Sequence, residues 1–180
     1  MAEIIIAPDA PAPITETPLD AKELVLKMLE KAEEEERVCA LEVCALIKAV
    51  GIAAKDLHYR AKGEAFYSEH LLADLGWQIE KLTDDFIEVY YMGDKGWTPP
   101  LMKEIYGKAC SDFPFIDKEN EDSLDTEFWA RRLLKVCEDL VGKVEKAKGI
   151  LAAKAGTQAS LDEISKQVLQ VIGLLKRNLK

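Results

Sequence analysis

A chain of 180 residues, 48% hydrophobic and 32% charged, has enough material for one domain with a real core and is neither disordered nor fibrous. Its formal net charge of −9 works against nucleic acid and anionic membranes and in favour of cations. No run is long and apolar enough to span a bilayer, and the EIIIA segment is too short, and lacks the basic flank, for a secretory leader; we expect a cytoplasmic protein.

The elements follow in chain order. Residues 1–19 read as an extended arm holding Pro8, Pro11, Pro13 and Pro18, with Glu3, Asp9 and Glu16 but no Lys or Arg, most simply a disordered tail and otherwise a segment whose EIII packs on a neighbouring surface. Residues 20–180 form the folded part, which is poor in helix breakers. Asp20 and Glu23 have capping-box spacing and open a first helix that runs to about His58. Leu24, Met28, Val38, Leu41, Ala45 and Ile52 recur along it at helical spacing, and EEEE at 33–36 reads as a solvated face. Gly51 inside this pattern costs about 1 kcal/mol relative to Ala. A turn at Lys62-Gly63 leads to a second long helix from Glu64, with Gly93 as its terminating glycine. A long connection carries a short helix, with Thr98 as its cap and Pro99 in its first turn. A third helix starts after Ser123 and runs to Gly156, and a fourth is capped by Ser160 with Glu163. Short connections between the first pair and the last pair, with a long crossover between them, predict an all-α, ferritin-like four-helix bundle. Cys39, Cys44, Cys110 and Cys137 form no CxxC pair and read as small buried hydrophobes in a reducing compartment.

Chemistry concentrates on the two histidines, His58 and His70. At about 100° per residue, Asp74, Asp84, Asp85 and Glu88 all fall within about 60° of His70 on the second helix. Imidazole and carboxylate together suit iron, manganese or zinc, and a metal compensates charge that a bundle would otherwise bury at a cost. The plain alternative is a solvated acidic face beside two surface histidines. The Glu-x-x-His pair of intrasubunit diiron centres is missing, since Lys55 and Tyr67 stand three residues before the histidines. A metal site on this chain would therefore need ligands from a second copy.

His58-Tyr59-x-x-Lys62-Gly63-x-x-Phe66-x-x-x-His70-x-x-x-Asp74, seventeen residues without a gap, resembles the signature of the DNA-protection-during-starvation (Dps) family of miniferritins. The resemblance implies a dodecameric cage of four-helix subunits. Fe(II) would be oxidised by hydrogen peroxide or dioxygen at sites shared across two-fold axes, and stored as ferric mineral. His58, His70 and Asp74 would be one subunit's ligands, and an Asp and a Glu of the second helix would come from its partner, with zinc or manganese as other ions for the same site. The family's Asp-x-x-x-Glu falls on Asp85 and Val89, and Val89 cannot ligate; the intact pair is Asp84 and Glu88, one residue early. Either the helix register shifts by one residue, as a π-bulge would do, or Asp85 and Glu88 act as an i, i+3 pair. We take Glu88 as the bridging carboxylate and Asp85 ahead of Asp84. Tyr59 stands where the family usually has Trp, open to radical quenching or to plain aromatic packing. The departure at Val89 also keeps in view a degenerate cage or interaction protein with weak or no ferroxidase activity. DNA-binding relatives commonly use Lys/Arg-rich tails; this arm has none, so DNA is not an expected partner.

Overall fold

The computed structural model describes residues 20–61, 66–112, 125–151 and 154–179. The expected Pro-rich arm, the Lys62-Gly63 turn and the helix start at Ser123 lie outside them. Every element among the described residues is helical, and none is long and apolar enough to cross a membrane. The chain divides into two compact units, Met1–Glu33 and Glu34–Lys180.

Helix α1 spans Ala21–Arg60, as the periodicity predicts. Its buried face differs from the expected one. Cys39, Ala40, Val43, Cys44, Ile47, Val50, Ala54 and Leu57 are buried, whereas Leu24, Met28 and Val38 are exposed. Glu33 to Glu35 are solvated, but Glu36 is half-buried, paired with Lys95 and accepting from Tyr90 Oη at 3.2 Å.

The second helix is not continuous. Helix α2 (Phe66–Ile79) ends in a turn at Glu80 and Lys81, α3 (Leu82–Phe86) follows, and Ile87–Lys95 is a π-helix. Gly93, the expected terminator, lies inside the π-helix. Gly96 ends it instead, in the left-handed conformation at φ 65°, where a Cβ would be strained. Helix α4 (Met102–Asp112) starts later than Thr98 and Pro99, with Glu104 accepting from the Leu101 N–H at 2.8 Å. Helix α5 (Thr126–Ile150) is capped by the Asp125 carboxylate, which accepts from Phe128 N. Helix α6 (Ala155–Asn178) begins five residues before Ser160 (160 − 155 = 5), and Glu163 bonds Gln167 and Lys166 on the helix surface rather than closing a capping box.

Paired side chains fix the helix directions in the second unit. Glu36 with Lys95, Lys55 with Glu80 and His58 with Asp74 run α1 antiparallel to the α2–π-helix arm. Glu42 with Lys143 and Asp56 with Arg132 run α1 antiparallel to α5. Glu138 with Lys176 and Lys148 with Asp162 run α5 antiparallel to α6. Phe86, Tyr90, Trp129, Leu133, Leu140, Ile164 and Val168 fill the core between them. Burial pushes the Cys44 and Cys137 thiols up to about 12, so they pack as small hydrophobes, as expected.

Gly51 acquires a reason that propensity does not supply. A Cβ there would stand 2.7 Å from Glu80 Oε2 and 2.9 Å from Glu80 Cβ. Gly51→Ala is therefore expected to destabilise the protein by about 1–3 kcal/mol, reversing the gain of about 1 kcal/mol that helix propensity alone gives. Urea unfolding measures it, and an unchanged or raised midpoint would exclude the steric reading.

Candidate metal centre

Antiparallel α1 and α2 bring the last turn of one beside the first turns of the other. His58 lies in that last turn of α1. His70 and Asp74, four residues apart, share a face of α2. The two imidazole rings lie 3.8 Å apart between centroids and are tilted by 33°. His58 Nδ1 is 3.0 Å from Asp74 Oδ1. One ligand atom from each of His58, His70 and Asp74 lies within 4.8 Å of the others, and all three residues are half-buried.

The nitrogen of His58 is the informative atom. It is shielded from solvent and, although it lies close to the Asp74 carboxylate, makes no hydrogen bond. Buried polar atoms are normally bonded, so an exception at such a cluster calls for a partner of another kind. Two imidazole nitrogens and a carboxylate oxygen converging on one point suit a divalent transition metal.

The surroundings add residues that spacing did not pick out. Trp77 presents a ring edge to His58, with centroids 6.4 Å apart, and Lys55 lies over the Trp77 face at 5.1 Å. Trp77 also lines, with Asp74, Gln78 and Lys81, an open groove of about 270 Å³ beside the cluster. Lys55 and Trp77 each lie three residues from a candidate ligand, Lys55 before His58 and Trp77 after Asp74, which was the available signal. Tyr59 is 71% exposed, and its ring stands edge-to-face with the His58 ring, centroids 5.3 Å apart.

Asp84, Asp85 and Glu88 are all exposed, and none joins the three-residue cluster among the described residues. Their directions relative to His70 also differ from those of an uninterrupted helix. Between Trp77 and Asp84 four backbone bonds run i to i+3: Glu80 to Trp77, Lys81 to Gln78, Thr83 to Glu80 and Asp84 to Lys81. A residue in such a turn advances about 120° instead of about 100°. The four together add roughly 80°, nearly one residue of rotation. Asp84 and Glu88 are thereby carried toward the directions that Asp85 and Val89 would have on an uninterrupted helix. Glu88 then lies in the π-helix, where each residue advances less than in an α-helix, so the two departures from α geometry act in opposite senses.

Compared with protein-family models, curated proteins and solved structures, the chain matches none, so the site rests on its own residues.

Proposed function

We propose that the chain is a Dps-like miniferritin, with a ferritin-like bundle that binds and oxidises Fe(II) at sites between subunits and stores the ferric product. The observation that carries this reading is the convergence of His58, His70 and Asp74, three residues of the seventeen-residue pattern, around a buried His58 nitrogen without a hydrogen bond. The helix directions support it as well. With α1 antiparallel to both the α2 arm and α5, the long connection through α4 joins two parallel helices, the connectivity of ferritin-like bundles.

Iron is the substrate here. Two nitrogens and one carboxylate hold Fe(II) with useful affinity, and further carboxylates favour the Fe(III) product. Hydrogen peroxide accepts two electrons. Two ferrous ions side by side supply them in one step, H2O2 + 2 Fe2+ + 2 H+ giving 2 Fe3+ + 2 H2O, without release of hydroxyl radical. One chain offers three ligands, so a second copy completes the site in a two-fold dimer within a dodecamer. We assign its contribution to Glu88 and, given the rotation gained at Glu80-Lys81, to Asp84 in preference to Asp85.

A second reading is a bundle with little ferroxidase activity, favoured by the broken helix that carries the carboxylates. Fe(II) oxidation by peroxide or dioxygen, followed by ferric absorbance in the native chain and in His58→Ala/His70→Ala, separates the two. A native chain no faster than the variant leaves the second reading standing. DNA binding is not part of the proposal. Duplex DNA is expected to show no gel shift at physiological salt, and a clear shift would contradict the charge argument.

A further inference from the structure

The first unit holds an unanswered question. Leu24, Val25, Met28 and Leu29 are each at least half exposed, from 50% to 64%. Beyond this stripe and Leu26 the helix surface is polar, with Glu23 and Lys27 joined 3.0 Å apart one turn from each other. Five large apolar side chains in six residues, Leu26 included at 59% exposed and four of them along one stripe, form a face that a partner covers.

The spacing indicates the partner. With Val25 at position a of a heptad, Ala21 and Met28 fall at d, Ala32 at the next a, Leu24 at g and Leu29 at e. Glu23, Glu30, Lys27 and Asp20 then occupy the outer positions f and c, and Leu26 falls at b, outside the seam. In a parallel pair of identical helices, a meets a, d meets d, and each g meets the e five residues on in the other chain. Val25 meets Val25, Met28 meets Met28, and Leu24 of each copy meets Leu29 of the other, so every large apolar residue of the seam faces another. Antiparallel pairing would instead bring Leu24 beside Lys31 and Leu29 beside Lys22. A β-branched residue at a also favours two strands.

We infer that residues 21–32 are a parallel self-pairing element, at which the first helix of one copy docks on the same segment of a second copy. The segment is too short to hold two chains by helix pairing alone. It acts as an accessory contact that links copies already brought together elsewhere. The inference is independent of the metal centre, whose residues lie at the other end of α1.

Cysteine cross-linking of the full chain tests it. Val25→Cys is expected to give a disulfide-linked dimer on oxidation, read on a non-reducing gel, because equivalent a positions approach within disulfide range. Glu30→Cys, on the outer face, should stay at the native background set by the four existing thiols, three of them buried. Adding Met28→Glu to Val25→Cys should abolish most of the dimer, and both positions are exposed, so neither change disturbs a core. Three outcomes would overturn the proposal: cross-linking of Val25→Cys no stronger than of Glu30→Cys, cross-linking that survives Met28→Glu, or cross-linking that requires a second cysteine at Met28, which would mark antiparallel pairing.

Discussion

Replacing His58 and His70 together by alanine is expected to slow Fe(II) oxidation by about 100-fold or more. Loss of a partner that merely orients a metal ligand typically costs 10- to 100-fold in affinity or activity, and here two of the three donors a chain supplies would go. What remains of this chain's cluster is Asp74, a half-buried carboxylate, and carboxylates without imidazole hold Fe(II) more weakly. Asp74→Asn should fall between native and double variant, about 10-fold down, because it keeps both imidazoles and removes the one carboxylate in this chain's own cluster. Ferric absorbance after addition of peroxide gives the rates, and Fe(II) titration under anaerobic conditions gives the binding. His58 is half-buried near the end of α1, so its removal opens no core cavity and the variant should keep native helix content. A double variant that folds and oxidises iron at the native rate would eliminate this cluster as the site.

The sequence was most legible where one local rule decides the outcome. The run of α1 to its last turn follows from periodicity without breakers, and the i, i+4 placement of His70 and Asp74 follows from helix geometry alone. The meeting of His58 with that pair needed one further step, a short connection that folds α2 back on α1. The direction of the expected carboxylates, Asp84, Asp85 and Glu88, was less legible, because it depends on a turn that long-range contacts fix. Glu80 is drawn toward α1 by Lys48 and Lys55 and toward α4 by Tyr106, and the backbone tightens around it. Uniform helical counting cannot register that. Helix ends failed in the same way. Ser160 and Glu163 have the spacing of a capping box, yet α6 continues through them because Thr157 is buried and bonded to Asp94 on the π-helix, which carries the helix start upstream. The buried face of α1 was misplaced because Leu24, Met28 and Val38 fit the period as well as the true core residues do, and period alone does not say which turns of a long helix meet the rest of the protein.

Glu80→Ala should be the most destabilising single change among the charged residues, at about 3–5 kcal/mol, since it leaves a buried cation without its anion. The Lys48 side chain is 6% exposed and lies 3.5 Å from Glu80 Oε1; Lys55 reaches Oε2 at 2.9 Å, and Tyr106 donates to Oε1 at 2.8 Å. At roughly 2–4 °C per kcal/mol for a chain of this size, the melting midpoint should drop by about 10 °C. The same contacts set a pH dependence. Burial pushes the Glu80 carboxyl up, but the hydrogen bonds from Lys55 and Tyr106, with the charges of Lys55 and Lys48, outweigh it and hold the group below its ordinary value. A carboxylate depressed in the folded state contributes stability above its unfolded value and loses that contribution as pH falls through the folded one. The stability gap between the native chain and Glu80→Gln should therefore be full near neutrality and close as the solution is acidified below about pH 4.5, the ordinary value for Glu. Chemical unfolding of both proteins across that range reads it directly. A gap that stays constant with pH would mean that Glu80 acts through packing rather than charge. Because Lys55 joins Glu80 to the face of Trp77, which borders His58, the variant that loosens this turn should also slow iron oxidation while His58, His70 and Asp74 remain in place.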